Sequence, residues 1–343
     1  MHRAGRALAF GAAIFVSAWL GDRSIAGDAF FHPPRGYGPA APYIPAAAGV
    51  AHTLQNPLIA LGQRLFFDTR LSGTGAKSCA SCHNPGYAYA EPRWVSISDN
   101  GKLGRRNAPG LLDVAYLPRL MWDGRFQSLE QQAFGPFQSG EMGIPVEEAA
   151  RRVNGDPHYV SLFRAALGSF ASPLGMAQAL AAYQRTLITP PSRVDRVLSG
   201  NHAALSPLVR DGYAVFTRRA GCANCHHVFP LQADGRPSPR ALFSDFQFHN
   251  IGVGYRGGFS DTGRYEQSHH PADWGAFRTP SLRHSAKSPP YMHDGSFHSL
   301  NEVVEFYNAG GVPNPNVSPY LRPLGLSHHE KAALVAFLRA IGD

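Results

Sequence analysis

The chain has 343 residues and a formal charge of +8, from 32 Lys and Arg against 24 Asp and Glu. No Lys/Arg-rich run concentrates that excess, so it does not mark a nucleic-acid surface. With 36 Gly, 28 Pro and no low-complexity tract, the composition excludes a disordered chain and predicts an ordered fold rich in loops.

Basic His2, Arg3 and Arg6, apolar residues 7–20 and small Ser24-Ile25-Ala26 predict a secretory signal over residues 1–26. The apolar stretch is interrupted and short for a span, and no later segment is long and apolar enough, so no stable membrane span is expected. Export fits a periplasmic address. Residues 27–50, rich in Pro, Ala and Gly, read as an extended lead-in. A helix is predicted over 56–67, with Pro57 in its first turn.

Cys79-Ala80-Ser81-Cys82-His83 follows, and Cys222-Ala223-Asn224-Cys225-His226 matches it later; together they use all four cysteines. This C-x-x-C-H spacing is the attachment signature of c-type haem. Two thiols three residues apart reach the two porphyrin vinyl groups, and the adjacent His offers its imidazole to the iron. Two covalent haems are therefore expected, with His83 and His226 as proximal ligands. A four-thiolate zinc site is disfavoured because the halves lie far apart and each carries a His. A thioredoxin-like pair lacks a βαβ setting, and a Cys-x-x-Cys disulfide closes too small a loop to stabilise a chain this long. Residues 1–26 hold +2 of the charge, and four haem propionates would offset most of the remaining +6.

Between the motifs, residues 84–125 read as loops. Ser128-Leu129-Glu130-Gln131 predicts a capped short helix, and helices are predicted over 146–153, 157–167 and 174–188. Pro190-Pro191 starts a linker. A second unit begins near Ser206 with a helix into Cys222; residues 230–275 are irregular. Ser299-Leu300-Asn301-Glu302 and Ser327-His328-His329-Glu330 open two further helices, the last with Leu334, Phe337, Leu338 and Ile341 on one face. Strand signals are sparse. The expected fold is mostly α: two c-type cytochrome domains, 27–195 and 196–343, each enclosing one covalent haem, with long irregular loops. Beyond the haem motifs no clear internal repeat is legible.

From Leu65-Phe66-Phe67-Asp68 to its end, the chain resembles the bacterial di-haem cytochrome c peroxidase and MauG family. The markers are Arg106-Asn107-Ala108-Pro109, Trp122-Asp123-Gly124-Arg125, Gly135-Pro136, Glu141-Met142, Asp261-Thr262-Gly263-Arg264-Tyr265, Pro280-Ser281-Leu282-Arg283 and Pro290-Tyr291-Met292-His293-Asp294-Gly295. In that family the N-terminal haem reacts with peroxide and the C-terminal haem stores or relays an electron. The resemblance implies that Glu141 is the distal acid–base residue, Gln132 its polar companion and Trp122 the tryptophan between the haems. It also implies a calcium ion held by Asn107 and by the Ser288 and Pro290 carbonyls, hard oxygen ligands of the kind calcium prefers. His293 matches a family histidine near the second haem.

Two departures from the peroxidase branch carry the functional expectation. That branch has a distal His after the first haem; here its place falls on Asp99, and no His lies from 84 to 106. A carboxylate on a loop is a poor substitute, so the first haem is expected to be open when oxidised. The branch's axial Met at the second haem falls on Tyr307, where MauG-like members carry Tyr. A thioether raises a haem potential, whereas a hard phenolic oxygen favours the oxidised iron. Met292 is the alternative ligand.

The first expected function is a MauG-type oxidase. It uses hydrogen peroxide to form a high-valent di-haem state that oxidises an aromatic residue, most plausibly tryptophan, of a periplasmic partner. The alternative is a cytochrome c peroxidase drawing electrons from a small cytochrome c or copper protein. The third is a non-catalytic di-haem carrier, against which Glu141 and Gln132 count. The methylamine-dehydrogenase-maturing member has a Trp two residues before the second motif; Ala220 stands there, so oxidising equivalents need another exit.

Overall fold

The computed structural model describes residues 55–342 except 233, 234 and 239, together one compact unit. The predicted signal and lead-in lie outside the described residues. Eleven α-helices occur among the described residues: α1 (Pro57–Phe67), α2 (Leu129–Ala133), α3 (Gly135–Gln138), α4 (Val146–Asn154), α5 (Pro157–Leu167), α6 (Pro173–Gln184), α7 (Arg193–Leu198), α8 (Pro207–Ala214), α9 (Tyr265–Ser268), α10 (Leu300–Asn308) and α11 (His328–Ala340). The only paired strands described are β1 (Phe248–His249) and β2 (Phe277–Arg278), antiparallel with Phe248 opposite Arg278. The mostly helical, loop-rich expectation holds.

Most helix starts obey local chemistry. Asn56, Asp156 and Ser172 each cap a helix whose first residue is Pro, which has no N–H to leave unsatisfied. Ser327 and Glu330 form a reciprocal capping box at α11. At Ser128 and Ser299 only half of the predicted box forms. The side chains of Gln131 and Glu302 accept instead from the N–H groups of Gln127 and His298. Two predicted boundaries shift. The helix expected to run to 188 stops at Gln184, because Thr186 and Leu187 bond back only three residues. The helix into Cys222 ends at Ala214 and widens into a π-helical turn over Val215–Arg219.

Two helical crossings organise the core, and they match. In α1, Gly62 packs on α6 so closely that a β-carbon would lie 1.8 Å from the Ala179 carbonyl oxygen. In α8, Gly212 packs on α11 with the same group 2.0 Å from the Ala333 oxygen. Tyr183 and Phe337 lie one turn beyond the two contacts.

The structure corrects the expectation that no further repeat exists. Residues 109–129 recur 171 positions later: Pro109, Met121, Asp123, Gly124, Phe126, Ser128 and Leu129 match Pro280, Met292, Asp294, Gly295, Phe297, Ser299 and Leu300. The backbone repeats too. Asp113 and His284 have φ of 61° and 60°, and Met121 and Met292 have φ of 69° and 72°. Bridges join Leu120 to Phe126 and Tyr291 to Phe297.

Candidate di-haem site

Each C-x-x-C pair sits on a 3-10 turn, Cys79–Ser81 and Cys222–Asn224, and all four cysteines are free of disulfides. The histidine after each turn is held in the same way. His83 Nδ1 lies 3.1 Å from the Tyr89 carbonyl, and His226 Nδ1 lies 2.9 Å from the Phe243 carbonyl. Both carbonyls come from aromatic residues in the left-handed region, Tyr89 at φ 58° and Phe243 at φ 53°. Such backbone costs on the order of 1–3 kcal/mol per residue, so its recurrence at both histidines points to a site. Burial lowers the pKa of both imidazoles. A neutral ring that donates Nδ1–H to a carbonyl presents its Nε2 lone pair to a metal.

The surroundings fit two haems. Burial pushes the Cys79 and Cys222 thiols up to about 12, as apolar walls require, which suits thioether sulfurs rather than metal-bound thiolates. No four-cysteine cluster occurs among the described residues. Cys225, Asp245 and His249 come together, but Cys225 belongs to the attachment motif and His249 Nε2 lies 2.7 Å from an Asp245 oxygen. Half-buried Cys79, Tyr89, Phe126, Phe134 and Phe137 pack against one apolar core cluster.

A large cavity runs from Ala88, Ala90 and Pro109, on the His83 side, to Cys222, Cys225 and His226. Arg278 lies in its wall. This guanidinium is fully buried, among the described residues meets only the carbonyls of Met121 and Thr279, and has its pKa pushed down to about 10 by burial. Among the described residues no carboxylate pairs with it. A buried cation facing a cavity wants an anion there, which a haem propionate would supply. Sequence reasoning missed Arg278, although it stands two residues before the Pro280-Ser281-Leu282-Arg283 marker.

Trp122, Tyr307, Met292, His293, Asn107, Ser288 and Pro290 all line this cavity. Trp122 donates Nε1–H to the Asn107 carbonyl at 2.8 Å. The Asn107 side-chain nitrogen donates to the carbonyls of Glu91 and Arg93, at 3.0 and 2.7 Å, which leaves Oδ1 as the acceptor end. Tyr307 stands close enough to Cys222 and Cys225 to feel both sulfurs, and burial drives its hydroxyl pKa well up.

Glu141 and Gln132 do not line this cavity. Gln132 lies in α2, and Glu141 lies in the turn that follows α3. Burial raises the Glu141 pKa against the opposing pull of Arg125. Gln132 Nε2 lies 3.9 Å from the Met121 sulfur. Asp99 is turned to Thr74, accepting from its N–H and its hydroxyl, both at 2.7 Å.

Buried imidazoles tied at Nδ1, cysteine pairs in apolar walls and a cavity with an unpaired cation define a c-type di-haem protein. A family model for di-haem cytochrome c peroxidase matches residues 56–203. A cytochrome-c peroxidase IdrP1 of Denitromonas iodatirespirans is 38% identical, covering 92% of this chain and 88% of its own. The methylamine utilization protein MauG of Methylorubrum extorquens is 36% identical, covering 85% and 81%. A solved MauG-like protein associated with microbial copper homeostasis superposes with a TM-score of 0.72 at 30% identity, covering 85% of this chain and 92% of that one. The chain belongs to the di-haem cytochrome c peroxidase and MauG family, and is a haem peroxidase of the oxidoreductase class. No helix among the described residues is long and apolar enough to cross a membrane.

Proposed function

We propose that this chain is a MauG-type oxidase of the periplasm, with each half, 27–195 and 196–343, forming one cytochrome domain. Bound haem supplies the iron that takes up hydrogen peroxide and holds the oxidising equivalents. Glu141, whose pKa burial raises, would move a proton between the peroxide oxygens, and Gln132 would orient them. The Asp99 carboxylate is engaged by Thr74, so Asp99 would offer no ligand to a haem held by His83. Trp122 relays between the halves. Asn107 Oδ1 with the Ser288 and Pro290 carbonyls holds calcium beside it. The substrate is an aromatic side chain, in first place tryptophan, of a periplasmic partner protein.

The observation that carries this reading is the Tyr307 phenol facing the cavity beside Cys222 and Cys225. A hard oxygen at the second iron disfavours the ferrous store that peroxidase turnover uses. Met292 shares the cavity, but its repeat partner Met121 has the same left-handed backbone in the first half, so both read as turn positions. Tyr307→Met is expected to give a more easily reduced second haem and to weaken the peroxide response at that haem. Identical peroxide spectra in the two proteins would contradict the assignment. The second reading, a peroxidase drawing electrons from a small cytochrome c or copper protein, is favoured by the 38% identity to a protein named cytochrome-c peroxidase.

A further inference from the structure

Ala220 lines the cavity wall beside Cys222, so no indole stands at that point to carry oxidising equivalents outward. Another indole is better placed. Trp94 is 55% exposed, the most exposed tryptophan among the described residues. A single exposed aromatic is ordinary on a protein surface. What distinguishes Trp94 is its wiring to the interior.

Trp122 Nε1–H bonds the Asn107 carbonyl at 2.8 Å, the Asn107 side chain bonds the Arg93 carbonyl at 2.7 Å, and Arg93 is covalently joined to Trp94. Arg93 also reaches the first haem turn, donating from a guanidinium nitrogen to the Ser81 carbonyl at 3.1 Å. Its Nε holds the fully buried Glu91 at 2.8 Å, which fixes the segment. On the other side, Gly295 packs directly on the Trp94 backbone: a β-carbon there would lie 2.2 Å from the Trp94 carbonyl oxygen. Gly295 belongs to the turn of His293, which meets Trp122 across the seam. Trp94 thus stands where the first haem turn, the Trp122 contact and the second-half turn converge, and is more than half exposed.

We propose that Trp94 is the outlet through which oxidising equivalents leave the protein, and the contact point for the partner's oxidisable group. The inference rests on the oxidase reading above. Each hydrogen peroxide takes two electrons and two protons to become two water molecules. Both electrons come from the partner, one at a time. In each passage the Trp94 indole gives one electron inward along the hydrogen-bonded chain, and the resulting cation radical is refilled by one electron from the partner. Exposed Trp is also a residue that protein interfaces favour, since its large rigid ring buries much area at low entropy cost.

The test uses the holoprotein without any partner. Hydrogen peroxide is added in repeated equivalents while haem spectra are recorded, and tryptic peptides are then mapped for added oxygen. With no partner to refill it, Trp94 is expected to gain oxygen before Trp122 and Trp274. In Trp94→Phe the peroxide-induced spectrum should still form but outlast that of the unmodified protein several-fold. Haem spectra that respond while Trp94 stays unmodified, with equal decay in the variant, would overturn the outlet and leave the oxidase reading standing. Haem spectra that do not respond to peroxide would overturn both.

Discussion

The indole of Trp122 meets the imidazole of His293 edge-on, 6.5 Å between ring centroids, and the two residues occupy the same place in the two halves, 171 positions apart. His293 in turn stacks on Phe277 at 3.7 Å. Burial drives the His293 pKa down to about 4, so the ring is neutral at physiological pH. Trp122, His293 and Phe277 thus form a run of three packed rings, with the Arg106 guanidinium over Phe277. One duplicated turn has been used twice, once for an oxidisable indole and once for the imidazole packed against it.

The glycine crossings make a stability prediction. Gly62→Ala and Gly212→Ala each push a methyl group into a backbone carbonyl of the partner helix. Overpacking of this kind costs on the order of 2 kcal/mol. Thermal unfolding of the holoprotein should show both variants melting several degrees lower. Gly258→Ala, which meets no atom within 4 Å, should melt with the parent.

The seam also sets a pH dependence. Arg106 lies at 2.6 Å from both Asp123 and Asp261, and all three are largely buried. Burial alone would raise the Asp261 pKa, but the Arg106 pairing outweighs it and holds the value below the ordinary 3.8. A carboxylate depressed in the folded state contributes stability above its unfolded value and loses it as pH falls through the folded value. The parent should therefore lose stability below about pH 4. Arg106→Met should cost roughly 3–5 kcal/mol at neutral pH, because buried Asp261 loses its ion pair and Asp123 keeps only Arg125. In that variant stability should rise on acidification, as protonation relieves the unpaired Asp261. Melting curves across that pH range check both signs.

Glu141→Gln should slow the reaction with peroxide by roughly 10²–10⁴-fold, the usual contribution of a positioned acid–base group. Burial raises the Glu141 pKa above its ordinary 4.5, so the parent's rate should fall off on the acid side at a pH above that value. The variant should lack this limb. Stopped-flow rates against pH read both effects, and a limb that persists in the variant would assign it to another group.

Calcium removal offers a further check. Stripping the holoprotein with a chelator should loosen the setting of Asn107, whose carbonyl holds the Trp122 indole. The peroxide response should weaken and recover with calcium but not with magnesium, which demands a tighter octahedral shell. Unchanged behaviour after chelation would remove calcium from the account.

Much of this was legible in the residues. Both attachment motifs, the helix over Pro157–Leu167 and the buried face of α11 follow from spacing and periodicity alone. The repeat did not, because its shared positions set backbone shape rather than hydrophobic period. Asp113 and His284 share a left-handed conformation while sharing no side-chain chemistry. The haem motifs lie 143 apart and the turn block 171 apart, so the longer loop of the second half hides the correspondence. The π-helical turn at Val215–Arg219 has no breaker residue to announce it. Arg278 drew no notice, since only folding removes its carboxylate partners and aims it at a cavity.

The most direct test of the oxidase account is to add stoichiometric hydrogen peroxide to the as-isolated diferric protein, without reductant, and record visible and near-infrared spectra. The account predicts an immediate change at both haems and a long-lived near-infrared band from charge shared between them. A protein that stays silent until it is half-reduced would be a peroxidase requiring activation, and would contradict the roles given to Asp99 and Tyr307.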